Sequence, residues 1–184
     1  MSDPQPALSA HEAPEPQVRR RLPWPVLLLI EVLLLAALAF GTHLWLKHEA
    51  QGPAPTFIAQ DLTGEQVSLE QLLTEGPVIV RFWATWCPNC KREEGMINEL
   101  ASDARVLTVA IQSGDESDVA TYLQEASLTM PTIVDAEGRI ERDYGVVAVP
   151  TTFIIDSDGE IRFHLLGLTG EWGLRMRLWA ARWL

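Results

Sequence analysis

The chain has 184 residues, of which 47% are apolar, so it can bury one full-sized core but not two once terminal segments are set aside. A formal net charge of −11 argues against a nucleic-acid-binding protein, because phosphate binding needs clustered lysine and arginine. Only two cysteines occur, which excludes a framework of disulfides and a four-cysteine zinc site.

The N-terminal part of the chain divides into a polar tail and an apolar segment. Residues 1–21 are rich in proline, alanine, glutamine and glutamate, a composition that cannot support a core, and we expect a disordered cytoplasmic tail. Residues 22–47 contain the apolar run from Val26 to Leu46, which as a helix would be about 31 Å long and could cross a bilayer once. The sequence therefore predicts one N-terminal transmembrane anchor.

Charges on either side of this segment predict its orientation. Arg19, Arg20 and Arg21 precede it, whereas Lys47 follows it with Glu49 close by. By the positive-inside rule the N-terminus is cytoplasmic, and everything after the segment lies in the periplasm or an equivalent extracytoplasmic space. A cleaved signal peptide is the alternative, but the apolar run exceeds the usual h-region of about 7–15 residues. The expected localisation is the cytoplasmic (inner) membrane, with a single pass.

Residues 48–55 form a short predicted linker, and residues 56–184 alternate between predicted strands and helices. The segment from Val78 to Trp83 is apolar and β-branched, typical of a strand buried on both faces. The predicted strands are 57–60, 66–69, 78–83, 105–111, 132–135, 151–156 and 160–164, and the predicted helices are 69–73, 88–104, 117–126 and 171–184. The segment 139–144 follows the strand 132–135 and is not assigned to a helix or a strand. This order predicts an α/β domain whose mixed sheet has helices on both faces.

The two cysteines lie where a predicted strand meets a predicted helix. Pro88 suits the first helical position, so Cys87 would cap the helix, near unpaired backbone N–H groups and the positive end of the helix dipole. Cys90 lies one turn further in and is shielded. Exchange needs an attacking thiolate and a resolving thiol, which assigns attack to Cys87 and resolution to Cys90. A structural disulfide or a metal clip is the alternative for such a pair.

The stretch FWATWCPNCKREE resembles the active site of the thioredoxin superfamily, and specifically of its membrane-anchored TlpA-like and ResA-like branch. The likeness covers residues 56–184 and includes DLTGEQVSL, the segment at 145–152 and the hairpin IIDSDGEIRF. The terminal GLTGEWGLRMRLW, together with VAIQSGD, looks most like the suppressor-of-copper-sensitivity D type. The resemblance implies a thioredoxin-like domain that exchanges disulfides with protein substrates without a bound cofactor. It favours reduction of substrates by electrons from an integral-membrane thiol carrier, with oxidation of substrates as the alternative.

The resemblance also implies a substrate-binding surface around a cis peptide bond before Pro150. The residues alone indicate only that Pro150 lies at a strand start, an edge or a bulge, because proline cannot donate to a β-ladder. A plain strand-initiating proline is the alternative. The substrate-binding positions implied by the resemblance are Trp86, Pro88, Asn89, Val149, Pro150 and Thr151.

One position departs from thioredoxins, which carry a buried aspartate six positions before the first cysteine, where this chain has Arg81. In the TlpA-like branch a glutamate three residues after the second cysteine can accept the resolving thiol's proton, and Glu93 stands there, one turn from Cys90. Alternatively, Glu93 only stabilises the helix dipole, by about 0.3–1 kcal/mol. Its neighbour Glu94 is expected to face solvent.

Two other functions compete with this hypothesis. A peroxidase of the peroxiredoxin type would share the fold, but its cysteine lies in a P-x-x-x-T-x-x-C setting, and Ala84 occupies the threonine position. A binding module could hold Cu(I) between the two thiolates, with Met96 or Met130 as a further soft ligand, although isolated methionines more often fill cores. The histidines at 11, 43, 48 and 164 form no metal-ligand spacing, and we predict no metal site.

The last predicted helix carries large apolar side chains on one face, at positions Trp172, Met176, Trp179 and Trp183. We expect this face to pack on the sheet. A membrane-surface role is the alternative, because arginines at 175, 177 and 182 accompany these residues.

Overall fold

The computed structural model describes residues 23–48 and 52–184. Its first helix, α1, is Trp24–His48, a leucine- and alanine-rich segment whose residues lose little side-chain entropy in a helix. The side chains at positions 28–38 are exposed. Within the described part of the chain, no helix combines the length and the apolar character that crossing a membrane requires. The predicted tail, residues 1–21, lies outside the described residues.

From residue 52 onward the chain forms strands and helices in the predicted order. The strands are β1 (Ile58–Gln60), β2 (Gln66–Ser68), β3 (Val78–Trp83), β4 (Val106–Ile111), β5 (Thr132–Asp135), β6 (Thr151–Ile155) and β7 (Ile161–Leu166). The helices are α2 (Leu69–Leu73), α3 (Pro88–Asp103), α4 (Glu116–Glu125), α5 (Arg139–Asp143) and α6 (Glu171–Ala180). The predicted elements of the domain are confirmed, with boundaries that differ by a few residues.

The predicted mixed sheet is confirmed as five strands in the order β5-β4-β3-β6-β7. The pairs β3–β4 and β4–β5 are parallel, whereas β3–β6 and β6–β7 are antiparallel. β1 and β2 form a separate antiparallel hairpin. Strand β3 is therefore central, and each of its six residues is buried.

Alternate residues of β3 face two different cores, because successive side chains of a strand point to opposite faces of the sheet. Val78, Val80 and Phe82 join the core that includes residues of α2 and α5. Ile79 and Trp83 join the core that includes both cysteines and buried residues of α3, α4 and α6. The register of β3 thus decides which of its side chains lie beside the cysteine-bearing helix.

Helix α6 packs through a different face from the predicted one. Its buried residues are Leu174 and Leu178, and Ala181, directly after the helix, is also buried. Trp172, Met176 and Trp179 on the helix, and Trp183 after it, are 64–80% exposed. The expectation that this Trp- and Met-rich face packs on the sheet is wrong. Two apolar faces occur on this helix, and the one that packs carries the smaller aliphatic side chains.

This packing predicts a difference between two truncations in α6. Leu174→Ala should lower the free energy of unfolding by about 2–5 kcal/mol, because it leaves a cavity in a fully buried site. Trp172→Ala removes a larger but exposed side chain and should change it by no more than about 0.5 kcal/mol. Urea unfolding of the domain from residue 52 onward measures both. A larger loss in Trp172→Ala would mean that the wrong face has been assigned to the core.

Candidate active site

The two cysteines form a disulfide at the start of α3, with Cα atoms 5.3 Å apart, inside the usual range of about 4.4–6.8 Å. Cys87 is the N-cap residue, with extended backbone, and Pro88 takes the first helical position. The Sγ of Cys87 accepts a hydrogen bond from the backbone N–H of Cys90, at 3.1 Å. The sulfur of Cys87 therefore caps the helix, where backbone N–H groups and the helix dipole favour negative charge.

Both sulfur-bearing residues are nearly covered in the disulfide state. Cys90 is 4% exposed, as its position one turn into the helix predicts, but Cys87 is only 3% exposed. The sulfur of Cys87 lies 3.6 Å from the carbonyl oxygen of Val149. The attacking position is thus bordered by the segment that precedes β6.

That segment contains Pro150, and the Val149–Pro150 peptide bond is cis, as the resemblance implies. The carbonyl oxygen of Pro150 accepts a hydrogen bond from the N–H of Gly167, at 2.8 Å. The hydroxyl of Thr151 donates to the carbonyl of Ala148 at 2.7 Å, and the side chain is buried. Thr151 can therefore meet a substrate only through its backbone.

Several exposed residues lie close along the chain to the covered disulfide or to Val149. Trp86 is 56% exposed, and its indole N–H donates to the carbonyl of Gln112 at 2.9 Å. Pro88 and Asn89 are also exposed. Val147, which no sequence motif marks, is 89% exposed. Its sequence context does not distinguish it from a core valine, so only the fold reveals that it is exposed, two residues before Val149.

Behind the disulfide, Arg81 and Glu93 form a buried ion pair between β3 and α3. Glu93 Oε2 accepts from Arg81, and Glu93 Oε1 accepts from the backbone N–H of Thr169. Arg81 also donates to the hydroxyl of Thr152, at 3.1 Å. Burial lowers the pKa of the Arg81 guanidinium, and the nearby charge of Glu93 acts in the opposite direction.

The family model of AhpC/TSA matches residues 50–164 of this chain. The thioredoxin-like protein of Haemophilus influenzae is 37% identical over 123 residues, which cover 66% of this chain and 73% of that protein. The thiol-disulfide oxidoreductase ResA of Bacillus thuringiensis subsp. konkukian is 34% identical over 125 residues, covering 66% of this chain and 72% of ResA. The crystal structure of StoA from Bacillus subtilis has the same fold, with a TM-score of 0.58, 24% identity, and coverage of 67% of this chain and 96% of StoA.

This chain belongs to the AhpC/TSA family. Its similarity to ResA confirms the thioredoxin-like branch that the FWATWCPNCKREE motif indicates, and the protein is a thiol-disulfide oxidoreductase. The resemblance to the suppressor-of-copper-sensitivity D type stays a prediction.

In this oxidoreductase, Arg81 occupies the position at which thioredoxins carry an aspartate. Its buried positive charge requires an opposite charge nearby. A buried charge without one is strongly destabilising, and Glu93 supplies the opposite charge from the adjacent helix. The departure at Arg81 and the glutamate at 93 are therefore two halves of one interaction, although nothing in the sequence connects the two positions. Glu94, expected to face solvent, is half-buried instead.

The ion pair predicts a large stability loss when one half is removed. Glu93→Gln leaves the Arg81 charge buried beside a neutral amide and should lower the free energy of unfolding by about 3–5 kcal/mol. Glu99→Gln, an exposed position on the same helix, is the matched control and should stay within about 0.5 kcal/mol. Urea unfolding of the oxidised protein measures both.

The double variant Arg81→Leu, Glu93→Leu separates the charge from the packing. Replacing both partners by apolar side chains removes the unpaired charge, so this variant should be more stable than Glu93→Gln alone. Equal losses for Glu93→Gln and Glu99→Gln would show that the pair is not a buried interaction of this strength.

Proposed function

We propose that this oxidoreductase exchanges disulfides with protein substrates through Cys87 and Cys90, in the reducing direction. One observation carries the exchange at these cysteines: the Cys87–Cys90 disulfide lies at the N-terminus of α3, with the Cys87 sulfur 3.6 Å from the Val149 carbonyl beside a cis proline. The reducing direction is what the resemblance to the TlpA-like branch implies. In the reduced protein the same N–H of Cys90 that contacts Cys87 would stabilise a Cys87 thiolate. The helix N-terminus therefore stabilises the thiolate form of Cys87, which is the form that attacks the substrate disulfide.

The reaction then has two steps. The Cys87 thiolate attacks a substrate disulfide, forming a bond between Cys87 and one substrate sulfur while the other substrate sulfur leaves as a thiolate. Cys90, as a thiolate, next attacks the sulfur of Cys87, and the first substrate sulfur leaves. The substrate has gained two electrons, and Cys87 and Cys90 have become the disulfide seen in the structure. An integral-membrane thiol carrier would return the two electrons.

Exposed residues close along the chain to Cys87 and Val149 support a protein substrate. Trp86, Pro88 and Asn89 are exposed beside Cys87 in the chain, and Val147 is exposed two residues before Val149. Together they would provide a partly apolar contact surface. The Val149–Pro150 segment offers the backbone carbonyl that is nearest to Cys87. A substrate chain that lies along this segment would place its own sulfur close to Cys87.

A redox titration in glutathione buffers, followed by tryptophan fluorescence, tests the direction of electron flow. Trp83 and Trp86 lie shortly before Cys87 in the sequence, so their emission should report the state of the pair. We expect one reversible two-electron transition with a midpoint near the thioredoxin value of about −270 mV, and no transition in Cys87→Ser. A midpoint near about −120 mV would identify an oxidant of the same fold. No transition, with stoichiometric retention of Cu(I), would instead favour a copper-binding module.

We further propose that the protein is held in the cytoplasmic membrane by residues 22–47, with its domain outside. The apolar run of 26–46 and the arginines at 19–21 support this topology. Residues 48–55, which precede the domain, are few and include two prolines, so the active site would stay near the membrane surface. That position would suit exchange with a carrier embedded in the same membrane.

The proposed topology predicts the outcome of a protease experiment. In intact spheroplasts, external protease should remove the domain and leave a short N-terminal fragment, because the domain would lie outside the cytoplasmic membrane. A chain without residues 1–51 and without a signal should stay in the cytoplasm and resist the protease. A full-length domain that is protected until the cells are lysed would contradict the proposed orientation.

A further inference from the structure

Helix α6 and the turn that follows it expose a row of large apolar side chains. This row, here called the tryptophan face, consists of Trp172, Met176, Trp179 and Trp183. An α-helix has about 3.6 residues per turn, so the face lies on the opposite side of α6 from the buried Leu174 and Leu178. Soluble proteins rarely expose apolar side chains as a contiguous patch, and such a patch marks a surface that contacts a protein or a membrane.

The composition of the tryptophan face favours a membrane surface. Three of its four members are tryptophans, and none is leucine, isoleucine or valine. An indole ring combines a large apolar body with one N–H donor, and tryptophan therefore concentrates in the headgroup region of a bilayer. Helices that lie in that region carry such side chains on one face and basic residues beside it.

The charge of the same segment is positive although the chain as a whole is acidic. Residues 171–184 contain three arginines and one glutamate, whereas the whole chain has 14 basic and 25 acidic residues. The glutamate, Glu171, is paired with Arg175 at 2.7 Å. Arg182 is exposed and forms no ion pair with any residue of 23–48 or 52–184. The segment therefore complements an anionic surface.

A cleft of about 330 Å³ lies beside the tryptophan face, and Trp179 forms part of its wall. The charged residues that line this cleft are Arg105, Arg175, Arg182 and Asp103. Arg105 and Arg175 are each held by a carboxylate at 3.1 Å, which leaves the guanidinium of Arg182 for a ligand. A guanidinium suits the oxygens of a phosphate group, which is the charged group of a phospholipid.

We propose that the tryptophan face of α6 binds the surface of a bilayer that contains anionic phospholipids. The indoles lie in the headgroup region, and Arg182 contacts a lipid phosphate. The inference goes beyond the proposed exchange reaction and does not depend on it. If residues 22–47 anchor the chain, the domain stays close to the bilayer, and a weak affinity of the tryptophan face is then sufficient.

The proposed contact is remote from the attacking cysteine. Arg175 contacts Asp103, the last residue of α3, whereas Cys87 caps the first turn of that helix. Sixteen helical residues separate the two ends, a length of about 24 Å. The lipid contact at the arginine side of α6 therefore leaves Cys87 open to protein substrates.

A second copy of the chain fits the tryptophan face less well than a bilayer does. Each copy has a net charge of −11, so two copies repel each other. A two-fold contact through this face would also bring the same arginines of both copies to one interface. Self-association is therefore the competing outcome of the experiment.

Binding of residues 52–184 to lipid vesicles tests the proposal. Both hydrophobic cores and the seven strands of the described structure lie within this part of the chain, so it folds without residues 1–51. The vesicles are pure phosphatidylcholine or an equal mixture of phosphatidylcholine and phosphatidylglycerol. The domain should sediment with the mixed vesicles at millimolar lipid and bind pure phosphatidylcholine about tenfold more weakly. Added salt should weaken the binding, because it screens the arginines.

Matched variants separate the tryptophan face from other exposed side chains. The double variant Trp172→Ala, Trp179→Ala should weaken binding at least about tenfold, whereas Trp86→Ala, an exposed indole outside α6, should bind like the wild type. Arg182→Gln should weaken binding about fivefold, and Arg139→Gln, exposed on α5, should not change it. All of these side chains are exposed, so the variants should fold, which urea unfolding checks.

Three results would overturn the proposal. The wild-type domain could fail to bind the mixed vesicles, or the double tryptophan variant could bind them as tightly as the wild type. The third is self-association of the wild type in sedimentation velocity without lipid, lost in the double variant, which would assign the face to a second copy. A redox titration of the same domain is a separate readout. Vesicle binding without a redox transition would leave this inference standing and remove the proposed exchange, and the reverse result would remove only the inference.

Discussion

A buried ion pair fixes the helix that carries the cysteines to the centre of the sheet. Arg81 lies in the middle of β3, where both neighbouring strands and the covering helices exclude water, so its charge must be met by protein groups. Arg81 donates hydrogen bonds to Glu93 on α3 and to the hydroxyl of Thr152 on β6. The N–H of Thr169 donates to the other carboxylate oxygen of Glu93. Four segments distant in sequence thus converge on one interaction. Because Cys90 is one turn from Glu93, its place follows from this contact.

The position of the site also depends on where one strand ends and where a helix and another strand begin. Strand β3 ends at Trp83, α3 begins at Pro88, and β6 begins at Thr151, directly after the cis proline. β6 is antiparallel to β3, so the start of β6 pairs with the end of β3, with Thr151 opposite Phe82. This register brings the Val149 carbonyl beside Cys87 across 62 residues of sequence. A slip of β3 by one residue would turn the Arg81 side chain to the other face of the sheet, away from Glu93, and break the ion pair.

Sequence patterns predict much of this arrangement because they are local. Turn signals and apolar runs predict the strands and helices, and C-P-N-C at a strand-to-helix junction predicts the N-cap position of Cys87. Sequence patterns do not predict the structure where two neighbouring faces or residues have the same local character. Helix α6 has two apolar faces, and nothing in its period shows that Leu174 and Leu178 pack while Trp172 and Trp179 stay exposed. Glu93 and Glu94 are likewise adjacent acids, distinguished only by partners about 12 to 76 residues away.

The near-complete burial of Cys87 is compatible with attack on protein substrates because exchange requires an approach along one line. In the proposed first step the Cys87 sulfur, the substrate sulfur that it attacks and the leaving substrate sulfur must be roughly collinear, so one narrow opening is sufficient. A covered sulfur then excludes solutes that cannot fit beside the Val149–Pro150 segment. In the proposed reaction, the exposed Trp86 and Val147 would contact apolar surface next to the substrate's cysteines. Restricted access in this way limits the unproductive exchange that an exposed thiolate at a helix N-terminus would otherwise undergo.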